Sequence, residues 1–167
     1  MKVISIKQLF FVGLISSVGA LAHADNSPSS PQLVSSKTVS KATYVEDYQA
    51  ITRVLDAYIE GCKQAKSSIM KPAFNEQATM YSVGADGKLE GGAISILFEG
   101  IDKGFRPSPD AQAAITRIEI VGNAASARID ANGMSGLSFT DFFQLLKVEG
   151  KWTVVSKIFQ THEAPGE

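Results

Sequence analysis

Between residues 114 and 161 the chain offers almost nothing but strand. Four alternating or apolar runs (114–121, 124–131, 138–148 and 151–161) are separated only by Gly122-Asn123, a link carrying Gly133 and Gly136, and Glu149-Gly150. Connections this short fold each run back beside the one before it, which specifies an antiparallel meander of four strands. One face of such a sheet has to be covered. The cover is written further upstream, where Val45, Tyr48, Ile51, Leu55, Tyr58 or Ile59, and Cys62 recur at intervals of three and four. That spacing predicts an amphipathic helix of about twenty residues, with Glu46 and Asp47 in its first turn and Lys63 and Lys66 near its end, both suited to the helix dipole.

The intervening segment supplies smaller elements. A short helix is expected after Ser67 and Ser68, with Pro72 near its start and its end at Asn75. A strand over 79–83, a turn at Gly84-Ala85-Asp86-Gly87, a return strand over 88–90 and a helical stretch over 94–101 follow. A loop with Gly104, Pro107 and Pro109 leads into the meander. The fold class is therefore α+β: a curved antiparallel sheet packed on a long N-terminal helix and two shorter helices, which leaves a cone-shaped interior.

The N-terminus is of a different kind. Lys2 and Lys7 precede an apolar run from Leu9 to Leu21 that ends in Ala22-His23-Ala24, the layout of a cleaved export signal. Residues 1–24 are read as a signal peptide, 25–42 as a Ser- and Pro-rich flexible leader, and 43–163 as the folded domain. The expected destination is the periplasm by the general export route, with no membrane span in the mature chain. Of 16 basic side chains, Lys2 and Lys7 leave with the signal, so 14 remain against 17 acidic ones. That balance argues against a nucleic-acid surface. The single Cys62 excludes an internal disulfide framework, and with His23 removed only His162 remains as a histidine, so no Cys/His metal site can be assembled. No Gly-x-Ser-x-Gly elbow, phosphate loop or cofactor motif is present.

The last hairpin points to a site. A two-residue loop at Glu149-Gly150 would set Trp152 opposite Lys147, Val154 opposite Leu145, Ser156 opposite Phe143, Ile158 opposite Asp141, Gln160 opposite Phe139 and His162 opposite Leu137. The face carrying Trp152, Val154, Ile158, Leu145, Phe143 and Phe139 is the more apolar and is taken as the inner one. Asp141 then points inward among aromatic and aliphatic neighbours, where desolvation raises the pKa of a carboxyl and suits it to general-base work or to holding a polar ligand group. On the next strand Ala125, Ala127, Ile129 and Ala131 alternate with Ser126, Arg128 and Asp130. Small side chains on an inner face leave room either for a cavity or for a bulky helix face bearing Tyr48 and Tyr58.

Several stretches resemble a known family. They are Tyr58-Ile59-Glu60-Gly61, Ala78-Thr79-Met80, residues 120–128 across the central hairpin, and residues 141–152 leading into Lys157-Ile158-Phe159. Together, over about residues 44–162, they resemble the nuclear transport factor 2-like superfamily, and within it the branch named "Putative lumazine-binding". The resemblance implies a cone-shaped fold, often dimeric through its sheet, with a pocket between helices and sheet. Relatives include ketosteroid isomerase-like and polyketide cyclase-like enzymes, dehydratases and association domains. It also implies that Asp141 matches the Asp of the branch's Asp-aromatic pair. Where the branch commonly has a His after Lys-x-Phe, this chain has Gln160, and His162 stands two residues later.

From these features the expected protein is an exported pocket protein that binds an unidentified small apolar or aromatic molecule. Tyr48, Tyr58, Tyr81, Phe139, Phe143, Trp152 and Gln160 are the candidate ligand contacts. Two other readings stay open. One is an isomerase, cyclase or dehydratase in which Asp141 is the base and a tyrosine or His162 stabilises the oxyanion. The other is a homodimeric association module that uses the outer sheet face around Phe142, Leu146, Val155 and Phe159.

Overall fold

The computed structural model describes residues 41–162; the expected signal peptide and almost all of the leader lie outside the described residues. The first helix, α1 (Lys41–Gln64), runs 24 residues and is longer at its start than the periodicity suggested. Glu46 and Asp47 therefore sit inside the helix and not in its first turn, where no acidic residue is found. A short α2 (Ser67–Met70) passes into a single 3₁₀ turn, Lys71–Ala73. Strand β1 (Phe74–Val83) begins where the sequence still read as helix, and β2 (Leu89–Ala93) returns beside it. After α3 (Ser95–Gly104) come β3 (Gln112–Val121), β4 (Ala124–Met134), β5 (Leu137–Val148) and β6 (Lys151–His162).

The sheet order is β2-β1-β6-β5-β4-β3. The four-strand meander is present, and every pairing is antiparallel except that β1 runs parallel to β6. That contact lets the chain return to the sheet after α1 and add the β1–β2 hairpin beyond the last strand. The β5–β6 turn closes on Val148 paired with Lys151. Glu149 and Gly150 both have positive φ, 50° and 79°, the backbone of a type I′ turn, whose twist matches that of the flanking strands.

The helices cover one face of this curved, unclosed sheet. Ile51, Leu55 and Tyr58 of α1, Met70 of α2, and Leu97 and Ile101 of α3 are buried against Ala125, Ala127, Ile129 and Ala131 of β4, Phe143 and Leu145 of β5, and Trp152 and Val154 of β6. The alternation of β4 thus selects its core face as expected: Ser126, Arg128 and Asp130 stand on the other side. There Arg128 donates to Asp130, which also accepts from Thr116 and Thr140. The neighbouring guanidinium holds the Asp130 carboxyl down at about 2.

A polar clamp ties α1 to the hairpin end of the sheet. Asp47 accepts from the Trp152 indole Nε1 at 2.8 Å and from Lys147 Nζ at 2.7 Å. Trp152 is buried and its indole N–H needs an acceptor, which the helix supplies. Lys147 and Trp152 hold the Asp47 carboxyl below the usual carboxylate range. A depressed native pKa contributes stability that is present above the unfolded value, near 3.9, and is lost as pH falls through the native one. Asp47→Ala is expected to cost about 2–3 kcal/mol at neutral pH, the value of a hydrogen bond to a charged group. It should also remove part of the acid destabilisation below about pH 4; urea melts of both proteins across pH check this.

Candidate functional site

The strands place the site through one irregularity. From the turn to Leu145 opposite Val154 the β5–β6 register is as expected, but Gln144 then pairs with Ser156. Val155 is an extra residue on β6, a β-bulge. Beyond it the faces of β6 exchange: Ile158, Gln160 and His162 are exposed, while Lys157 is buried. Asp141 lies on β5, which carries no insertion, and so still faces inward.

The result is a buried ion pair. Lys157 Nζ lies 2.7 Å from Asp141 Oδ1, and their side chains are only 3% and 2% exposed. Tyr58 of α1 donates its hydroxyl to Asp141 Oδ2 at 2.9 Å. Lys157 Nζ also lies over the Phe159 ring, 4.0 Å from its centroid, and 5.7 Å from that of Tyr58, so the cation is held by a carboxylate and by ring faces. The Lys157 contact is an ion pair outside hydrogen-bond geometry, and Oδ1 accepts no hydrogen bond among the described residues. Burial, then the negative charge of Asp141, push the Tyr58 phenol well above its ordinary pKa, so it stays a donor throughout the physiological range. Burial pushes the neighbouring Cys62 thiol up to about 12, which leaves it protonated and inert.

This cluster opens onto a cavity of about 260 Å³ between α1, α3 and the sheet. Its wall is otherwise apolar, with Met80, Leu97, Ile101, Phe105, Ile129, Ala131, Met134, Phe139 and Phe159 among the lining residues. The volume is at the small end for a ligand pocket, where about 300 Å³ is ordinary. Yet an apolar cavity of about 150 Å³ already takes benzene, so a one-ring molecule fits.

Of the candidate contacts, the structure brings Tyr58, Phe139 and Asp141 to this cavity. Phe143 is fully buried behind it and packs edge-on against Tyr58, with ring centroids 5.0 Å apart. Trp152 is buried in the Asp47 clamp. Tyr48 is 41% exposed and pairs with Tyr44 on the outside of α1. Tyr81 lines a shallow groove over the other sheet face with Ile158 and Gln160. The Gln160 amide donates to the Thr161 carbonyl, and His162 is exposed, with Nε2 2.9 Å from Thr140 Oγ1. The dyad of Asp141 and His162 is therefore not assembled, because the bulge turned His162 to the opposite face. The partner of Asp141 that the sequence pattern did not reveal is Lys157. Its signal was a lysine inside the apolar run Val154-Val155 to Ile158-Phe159, readable only with the bulge known.

The family described as "Putative lumazine-binding" matches residues 46–160, and the chain belongs to it. A solved protein of unknown function from Shewanella baltica OS155, described as NTF2-like, is 62% identical. The match covers 72% of this chain and 98% of that one, with a TM-score of 0.72. A second NTF2-like protein of unknown function, from Methylobacillus flagellatus KT, is 37% identical over 71% of this chain and 94% of its own, with a TM-score of 0.67. The fold is thus that of the nuclear transport factor 2-like superfamily. Among curated proteins, the aldolase FrzH of Cladobotryum sp. is 27% identical over 120 residues, 70% of this chain and 92% of that protein.

Removing one partner of a buried ion pair strands the other, whereas an apolar pair of similar volume is tolerated. Asp141→Leu is expected to lower stability by about 3–5 kcal/mol. Asp141→Leu combined with Lys157→Met should recover part of that loss in a double-mutant cycle measured by urea denaturation, the remainder reflecting the Tyr58 hydroxyl left without its acceptor.

Proposed function

We propose that this protein is an exported small-molecule-binding protein whose ligand sits in the cavity between α1, α3 and the sheet. The ligand is a compact apolar or aromatic molecule with one polar group, which the Tyr58, Asp141 and Lys157 cluster receives. The observation that carries this reading is the concentration of the cavity's charged groups at one place in an otherwise apolar wall. An apolar wall supplies affinity, and a few fixed polar groups supply orientation. Membership of a family named for lumazine binding supports a small-molecule ligand.

A second reading, that the pocket performs chemistry, is favoured by the buried cluster itself and by the name aldolase on a relative. Such chemistry would not use Asp141 as an isolated base, since Lys157 neutralises it at 2.7 Å. The outer sheet face bears exposed Phe142, Leu146, Val148 and Ile158. These residues support homodimerisation of the exported chain, which is compatible with either reading.

Mass spectrometry of the protein isolated under native conditions, followed by denaturation and release, tests the pocket. A small apolar molecule with one polar group should be released in near-stoichiometric amount. Ala131→Leu, which projects into the cavity, should carry much less of it while remaining folded; equal retention by that variant would place the ligand elsewhere and sink the reading. Sedimentation should give a dimer for the wild-type chain and a monomer for Ile158→Glu. The exported chain should begin at Asp25.

A further inference from the structure

Lys157 brings a primary amine to an apolar cavity, beside a carboxylate oxygen that accepts no hydrogen bond. Lys157 Nζ is the cavity's amine; of the other nucleophilic groups in its lining, burial holds Cys62 as the neutral thiol, and the Tyr58 hydroxyl stays protonated as donor to Asp141. Lysines elsewhere on the domain, such as Lys88 and Lys103, are exposed and paired with surface carboxylates. We propose that Lys157 captures an aldehyde or ketone in this cavity as a covalent iminium, with Asp141 shuttling the proton. The inference rests on the cavity being a ligand site and adds the chemical class of the ligand, a small aromatic or aliphatic carbonyl compound.

The local geometry provides each part of the step. Asp141 Oδ2 is occupied by the Tyr58 hydroxyl, whereas Oδ1 faces the ammonium at 2.7 Å and has no other partner. A small rotation of the ammonium brings one of its N–H bonds onto Oδ1, and transfer of that proton converts the ion pair into a neutral amine and a carboxylic acid. The amine nitrogen then bonds to the carbonyl carbon, and its surplus proton passes to the carbonyl oxygen, giving a carbinolamine. Asp141 returns its proton to that hydroxyl, the carbon–oxygen bond breaks, and water leaves. The product is an iminium on Lys157 beside the Asp141 carboxylate. One carbonyl and one ammonium have become one iminium and one water, with no net change in protons and no external oxidant or reductant. The positive charge ends where it began, between a carboxylate and the Phe159 ring, so the site is already organised for the product.

Benzaldehyde with cyanoborohydride at neutral pH tests the proposal on the full-length protein, because hydride fixes an iminium as a stable benzylamine. Peptide mapping of the wild-type chain should place a single benzyl group on Lys157 ahead of any exposed lysine. Asp141→Asn should slow that capture by about a hundredfold, the range of a positioned proton carrier, and Lys157→Met should abolish it. Benzyl alcohol, which has the ring but no carbonyl, serves as the control for the pocket and is followed by methyl NMR of Ile129, Met80 and Met134. If benzyl alcohol shifts those methyls but Lys157 is not modified, the pocket stands and the carbonyl inference fails. If the alcohol shifts none of them and the aldehyde labels only surface lysines, both are overturned. Because the mapping uses the wild-type protein, its result does not depend on whether either variant folds.

Discussion

Lys157 and Asp141 form a buried ion pair that constrains the inner face of this protein. Two opposite charges taken almost wholly out of water cost several kcal/mol each in desolvation, and their mutual attraction must offset most of it. That leaves little tolerance in position. The ammonium has to meet Oδ1, the second oxygen has to be satisfied by Tyr58, and the rings of Phe159 and Tyr58 have to stand beside the cation. A strand on each side and a helix above are thereby fixed relative to one another at the site. At the far end of α1, Asp47 binds Trp152 and Lys147. The helix is therefore pinned to the sheet by polar contacts at two points, and the apolar residues Ile51 and Leu55 fill the space between them.

The cavity follows from the same arrangement. β4 presents Ala125, Ala127 and Ala131 inward, so the sheet under α1 is thin where the neighbouring strands carry larger groups. Near the clamp at Asp47 that space is filled by Phe143, Leu145, Val154 and Trp152. Toward α3 it stays open, and there the ion pair lies. A filled core at one end gives the rigidity, and an open one at the other gives the room for a ligand. The small domain thus leaves part of its interior unfilled while the remainder holds it folded.

Much of this was legible in the residues. The meander, the long helix, the two-residue turn at Glu149-Gly150 and the inner face of β4 all follow from local pattern, because each depends on residues a few positions apart. Asp141 was legible as an inward carboxylate because β5 carries no insertion. The parallel contact of β1 with β6 was not, since it joins segments some eighty residues apart with no turn between them to set the register. The partner of Asp141 was hidden for a sharper reason. Side chains alternate with a period of two, so the one extra residue at Val155 inverts every assignment beyond it. Ile158, Gln160 and His162 went out together, and Lys157 came in with Phe159. Nothing in the spacing announces that bulge; only the chemistry does, since it exchanges an exposed Ile158 for a buried lysine that finds a carboxylate waiting.

The position of Lys157 is therefore the point on which the site depends, and its side-chain ammonium can be observed directly. Nitrogen-detected NMR of lysine side chains at neutral pH should show one Nζ group whose protons exchange slowly with water. Those protons should be displaced upfield by the Phe159 ring and give nuclear Overhauser contacts to Phe159 and Tyr58. If all lysine ammonium groups exchange rapidly at unshifted frequencies, Lys157 points to solvent, the bulge at Val155 is absent, and the site described above does not exist.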